Sequence, residues 1–152
     1  MRVNGNDYTL NSMSEMPPVS PYLDKHRSVK NAKVLIFSRD PDLRILLKTL
    51  IEIWGIQTVE SDSLEKSLSV IETEQPCLIL LDSTLPFESH LENIRQFRKH
   101  KFSKQIPIIV LSGFSQPEFK NLSMAIGADG FLTKPLDFDL LESYLKTNIE
   151  RH

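Results

Sequence analysis

The 152-residue sequence predicts an α/β fold, a parallel sheet covered by helices on both faces. Three observations carry that prediction. Five short apolar runs recur along the chain: VLIF (34–37), IQTV (56–59), CLILL (77–81), PIIVL (107–111) and FLT (131–133). The first, third and fourth are continuous rather than alternating, as expected of parallel strands buried on both faces. Between the runs, apolar residues return at helical spacing. Five strand–helix alternations of this kind argue for a parallel α/β sandwich with right-handed crossovers.

The elements follow in order. After the first run, Leu43, Leu46, Leu47, Leu50, Ile51 and Trp54 mark one face of a helix. Asp40-Pro41 reads as an N-cap followed by proline at the first helical position, and Gly55 stands where that helix should stop. Leu64, Leu68 and Ile71 mark a second helix; Leu91, Ile94 and Phe97 a third. Leu122 and Ile126 mark a short fourth, and Leu141, Tyr144 and Leu145 a fifth. No internal repeat or low-complexity tract interrupts the region. Residues 1–30 are different: rich in Asn and Ser, with Pro17, Pro18 and Pro21 and few large apolar side chains. Such a segment buries too little surface to offset its ordering entropy, so a flexible tail is expected there and a single domain over 31–152.

Composition narrows the function classes. A formal net charge of −2 supplies no global basic field for nucleic acid or an anionic membrane. The cluster Arg95, Arg98, Lys99, His100, Lys101 and Lys104 has few aromatics and reads as a solvated helix end. Cys77 is the only cysteine, so no internal disulfide forms. No apolar run reaches the roughly 18 residues that span a bilayer, and the N-terminus lacks a signal-peptide core. A cytoplasmic protein is expected.

In an open α/β sheet the functional crevice lies beyond the carboxyl ends of the strands. The residues at those ends are Ser38, Arg39 and Asp40 after the first strand, Asp82 after the third, Ser112 after the fourth and Lys134 after the fifth. A carboxylate can accept a phosphoryl group covalently, a lysine supplies compact positive charge for its oxygens, and a serine hydroxyl can donate to one of them. Each also has an ordinary structural use. Asp40 can simply cap the first helix, and Ser112 can satisfy loop backbone groups.

These motifs, in this order, resemble the receiver domain of two-component response regulators over residues 33–149. CLILLDSTLP resembles the segment around the phosphoacceptor aspartate, with Asp82 in that place and Pro86 four residues on. PIIVLSG resembles the fourth strand with its switch hydroxyl, here Ser112. GADGFLTKP resembles the fifth-strand signature, with Lys134 as the phosphate-binding lysine, Phe131 as the aromatic switch residue and Lys134-Pro135 as a cis bond. Thr84 falls at the position that modulates phosphoryl lifetime. The resemblance implies a flavodoxin-like (βα)5 doubly wound sandwich with a five-stranded parallel sheet in the order 2-1-3-4-5. It also implies a signalling module rather than an enzyme, with a histidine kinase or phosphotransfer protein as donor and a downstream effector protein as receiver of the signal. A monomer or weak homodimer is expected, with no nucleic acid or membrane partner. The last helical pattern ends near the C-terminus, so output is expected to run through another protein, by the face around the fourth helix, fifth strand and fifth helix.

The sequence departs from the family at one corner. Two adjacent acids, which hold Mg²⁺ with the phosphoacceptor, are implied at the end of the first strand; Ser38 and Arg39 stand there instead, and only Asp40 keeps a carboxylate. His90 stands where a glycine usually begins the third helix. Mg²⁺ wants an octahedral oxygen shell, whereas a guanidinium about 5 Å from a divalent ion repels it by roughly 6–7 kcal/mol at an effective dielectric near 20. With Asp82 and Asp40 as the remaining carboxylate ligands, Mg²⁺ is expected to bind weakly or not at all. Arg39 is expected to stand in for it by pairing with Asp82. Two readings follow: a phosphorylatable receiver with atypical metal dependence, or a phosphorylation-independent pseudo-receiver that serves as an interaction module.

Overall fold

The computed structural model describes residues 31–83 and 87–150, and the readings made for residues 1–30 and for Thr84 lie outside them. The elements alternate throughout: β1 (Lys33–Phe37), α1 (Pro41–Ile53), β2 (Gln57–Ser61), α2 (Leu64–Glu74), β3 (Leu78–Ser83), α3 (Phe87–Lys99), β4 (Ile108–Ser112), α4 (Pro117–Ala125), β5 (Gly130–Thr133) and α5 (Phe138–Glu150). The strands form one parallel sheet in the order β2-β1-β3-β4-β5. No helix among the described residues is long and apolar enough to cross a membrane.

Local chemistry explains the boundaries. Asp40 caps α1 by accepting the Asp42 N–H at 3.0 Å, and Pro41 follows where no amide is needed. The helix ends at Trp54, and Gly55 takes a φ of +86°, a turn that favours glycine. Ser63 caps α2 through the Lys66 N–H. The edge strand β2 is buried only at its last residue, Ser61, with Gln57 and Glu60 exposed, whereas β3 is buried along its entire length. That difference matches the apolar run LILL in one and the mixed QTVES in the other.

One layer of the core sets Ile71 of α2 and Ile94 and Phe97 of α3 against Leu35, Phe37, Ile79, Leu81 and Val110 of the sheet. Phe37 meets Phe97 edge to face at a centroid distance of 6.2 Å. Helices α1 and α5 bury Leu47, Ile51, Leu141, Leu145 and Ile149. Each fully buried Leu, Ile or Phe contributes about 1.5–3 kcal/mol. Two side chains depart from the faces that spacing predicts: Leu46 and Leu122 are 44% and 49% exposed. Leu46 lies beside the stripe defined by Leu47 and Ile51, at its margin. In α4 the inward face is Phe119, Ser123 and Ile126, with a serine at its centre, so apolarity alone misplaces the stripe.

Arg98, at the end of α3, organises the irregular chain on either side of β4. Its guanidinium donates to the carbonyls of Gly127 (2.9 Å), Ser103 (3.2 Å) and Ile106 (2.8 Å), and to the Asp129 carboxylate at 2.8 Å. The same Asp129 oxygen accepts the Ile108 N–H at 2.9 Å. Gly127, at φ +128°, lets this side chain pass: a Cβ there would lie 2.8 Å from Arg98 Cγ. Arg98→Ala leaves these carbonyls and the carboxylate without their common donor. It is expected to cost about 2–4 kcal/mol, read as a lower urea midpoint at an unchanged m-value.

Candidate functional site

The parallel register brings the strand ends to one rim. Phe37 is opposite Leu81, Asp82 opposite Leu111, Ser83 opposite Ser112, and Ser112 opposite Thr133. Ser38, Asp82, Ser112 and Lys134 therefore stand at the carboxyl edge of the sheet.

Asp82 is the centre. The residue is only 8% exposed, and an isolated carboxylate so enclosed is costly. Lys134 reaches over it, Nζ lying 2.5 Å from Oδ1. The other oxygen, Oδ2, accepts a hydrogen bond from the Ser38 hydroxyl at 2.7 Å. Oδ1 is thus held by the ammonium charge and Oδ2 by a directional hydrogen bond. The lysine side chain remains 29% exposed, so the pair opens to solvent on the Lys134 side. The Lys134 N–H donates to the Ser112 carbonyl at 2.8 Å, tying the ends of β4 and β5 and fixing where the lysine starts. The Lys134-Pro135 bond is cis.

The other expected site residues divide. Ser112 is fully buried, and its hydroxyl accepts the Phe114 N–H at 2.9 Å within its own loop. Phe131 packs into the core and also lines a groove beside α4 and α5. The Asp40 carboxylate is exposed and spent on the α1 cap. Arg39 is exposed and does not form the forked pair with Asp82 that the sequence suggested. The physical reason is that Ser38 turns inward at the strand end and the next residue turns out, while Lys134 and Ser38 already engage both Asp82 oxygens.

Sequence reasoning treated Ser38 only as a lost acid, yet it is the residue in direct contact with Asp82. The available signal was its position, on the strand next to that of Asp82 in a sheet of order 2-1-3-4-5. Arg44 was also missed: Nη1 donates to the Ser38 carbonyl at 2.6 Å, and Nε lies 3.3 Å from Glu60. His90 lies within α3, 2% exposed, with Nε2 2.9 Å from the Ser123 hydroxyl of α4. Ser123 in turn donates to the Phe119 carbonyl.

A doubly wound sandwich with a carboxylate and a lysine facing each other at its strand ends defines a receiver-type signalling architecture. The chain belongs to the response regulator receiver domain family, whose model matches residues 34–146. It is 34% identical over 119 residues to the KDP operon transcriptional regulatory protein KdpE of Escherichia coli, covering 78% of this chain and 52% of that protein. It is 30% identical over 118 residues to the phosphate regulon transcriptional regulatory protein PhoB of Pseudomonas aeruginosa, with the same coverage. The chain thus spans about half the length of the curated relatives it matches. Among solved structures, the Francisella response regulator 1452 receiver domain superposes with a TM-score of 0.71 at 28% identity, covering 79% of this chain and 98% of that one. The receiver domain of a histidine kinase from Syntrophus aciditrophicus gives 0.68 at 27% identity, covering 78% and 89%.

His90 generates a pH prediction. Burial lowers its pKa from 6.5 to about 4. Above pH 6.5 the imidazole is neutral whether the chain is folded or not. Between 6.5 and 4 the unfolded chain takes up a proton that the folded one refuses, so stability falls as pH falls. Unfolding in urea at pH 7 and at pH 4.5 is expected to differ by about 2–3 kcal/mol on this account. His90→Gln is expected to flatten that part of the difference; an equal acid loss in the variant would trace it to other groups.

Proposed function

We propose that this receiver takes a phosphoryl group on Asp82 from a phosphohistidine donor, a kinase or phosphotransfer protein, and passes the signal on by protein–protein contact without tight dependence on Mg²⁺. The observation that carries the proposal is the Asp82 carboxylate, buried at the end of β3 with an ammonium 2.5 Å from one oxygen. A carboxylate so placed is a nucleophile with a cation already positioned for the phosphoryl oxygens. Lys134 is the phosphate-binding group, and Ser112 and Phe131 are the switch pair. Thr84 is assigned the role of tuning phosphoryl lifetime.

The metal dependence follows from the donor set. Mg²⁺ needs several hard oxygens in a fixed octahedron. Here the Asp40 carboxylate bonds to the Asp42 amide, Ser38 offers a neutral hydroxyl already given to Asp82, and Arg39 adds a positive charge at the rim. Among the described residues no three His, Cys, Asp or Glu side chains gather as a metal site. These residues do not fit the ion well.

Output is assigned to the groove of about 560 Å³ between the start of α4, β5 and the start of α5, lined by Pro117, Lys120, Phe131, Pro135 and Leu140 among others. Phe131 belongs to both the core and the groove wall, so a change in its packing alters the surface a partner meets. We place the protein in the cytoplasm, acting as a monomer or weak homodimer on an effector protein.

A second reading has its own support. Both Asp82 oxygens are engaged before any donor arrives, which suits a phosphorylation-independent interaction module. Incubation with a small-molecule phosphodonor and with phosphorylated histidine donors separates the two. The expected result is a mass increase of one phosphoryl group, removed by hydroxylamine and absent in Asp82→Asn. No modification with any donor would favour the interaction module.

Calorimetry addresses the metal separately. The double variant Ser38→Asp with Arg39→Asp is expected to bind Mg²⁺ at least about tenfold more tightly than the natural protein. Equal affinities would overturn the charge argument.

A further inference from the structure

We propose that Ser38 is a positioning residue which couples the state of the Asp82 carboxylate to the β1–α1 corner. Its use in signalling rests on Asp82 being the modified group; the coupling itself does not.

Ser38 is 1% exposed, and each of its polar groups has a partner on a different element. Its hydroxyl donates to Asp82 Oδ2 at 2.7 Å. A serine has one hydroxyl proton, so this bond commits it. The same oxygen accepts the Asp40 N–H at 3.0 Å, at the N-cap of α1. The Ser38 carbonyl accepts from Arg44 Nη1 at 2.6 Å, one turn into α1. Its amide donates to the Ser61 carbonyl at the end of β2, 3.1 Å away. A continuous path therefore runs from Asp82 Oδ2 through Ser38 Oγ to the Asp40 amide.

Such a path responds to charge. A hydrogen bond to an ionised carboxylate is roughly twice as strong as one to a neutral acceptor, and linked hydrogen bonds polarise one another. In phosphoryl transfer Oδ1, the oxygen beside Lys134, forms the new O–P bond. The donor's P–N bond breaks, and its imidazole nitrogen leaves with the electron pair and takes a proton from solvent. Oδ2 then becomes the carbonyl oxygen of an acyl phosphate, still facing Ser38 but without its charge. The Ser38 hydroxyl is released from a strong acceptor to a weak one, and the Asp40 amide is the next group to feel it. The corner that responds carries Arg39, exposed to any partner. In this reading the site has an exit through β1 and α1 that needs no metal.

A double-variant cycle read by amide resonances tests the coupling. The Asp40, Asp42 and Arg44 N–H signals are followed in the natural protein, Asp82→Asn, Ser38→Ala and the double variant. Removing the Asp82 charge is expected to displace the Asp40 amide, and most of that displacement is expected to vanish when Ser38 is alanine. A purely structural serine would shift the corner by the same amount with or without the Asp82 charge. Ser38→Cys keeps the shape with a weaker donor and is expected to give an intermediate displacement; it carries the test alone if the alanine variant does not fold. A displacement equal in both backgrounds, or none in the natural background, overturns the proposal. Absence of phosphoryl transfer to Asp82 would leave this cycle intact, so the two failures can be told apart.

Discussion

Everything at the rim depends on one constraint: a negative charge ends a strand that is otherwise sealed from water. β3 is buried over its full length, with neighbours on both sides and helices above and below. A carboxylate there must be solvated by the protein itself. Lys134 and Ser38 do that from opposite sides, one from the end of β5 and the other from the end of β1. Neither position is free to drift, because Ser112 holds the Lys134 amide and Ser61 holds the Ser38 amide. The sheet order thus does more than stack strands; it decides which side chains can answer a charge at its centre.

That arrangement bears on what Ser38 and Arg39 do at the end of β1. With a serine and an arginine at these positions, no second carboxylate on β1 repels Asp82. A small neutral donor fits the inward position, and the long cation goes outward where water screens it. A carboxylate at Ser38's position would put two negative groups within hydrogen-bond reach of each other, a geometry that demands a cation. With serine, the Asp82 carboxylate rests between a neutral donor and the Lys134 ammonium.

Much of this was legible in the sequence, for reasons specific to certain residues. Continuous apolar runs marked the inner strands because parallel strands covered on both faces have no polar side to show. Asp40-Pro41 and Gly55 bracketed α1 because caps and left-handed turns are local chemistry. The strand-end residues pointed to a site because topology sends all parallel carboxyl ends to one edge. What stayed hidden was direction. Whether Ser38 or Arg39 faces inward depends on where the strand's pleat ends, which periodicity does not resolve. Leu122 faces outward, against the expected stripe, for a similar reason: a helix face centred on the hydrogen-bonded Ser123 does not look apolar. His90 stood out in the sequence only as a departure from a usual glycine, and its burial against Ser123 comes from packing that no local pattern shows.

The guanidinium of Arg98 has a consequence for how the molecule breathes. Five acceptors from the α3–β4 and α4–β5 connections, the carbonyls of Ser103, Lys104, Ile106 and Gly127 and the Asp129 carboxylate, converge on one side chain, and Asp129 extends the link to the first amide of β4. Loops usually open independently and at low energy. Here two of them share a donor, so neither can detach from the sheet without leaving the other undersatisfied. The end of the domain opposite the Asp82 rim is in this sense a single cooperative unit. This shared anchoring lies at the far end of the strands from Asp82 and Lys134.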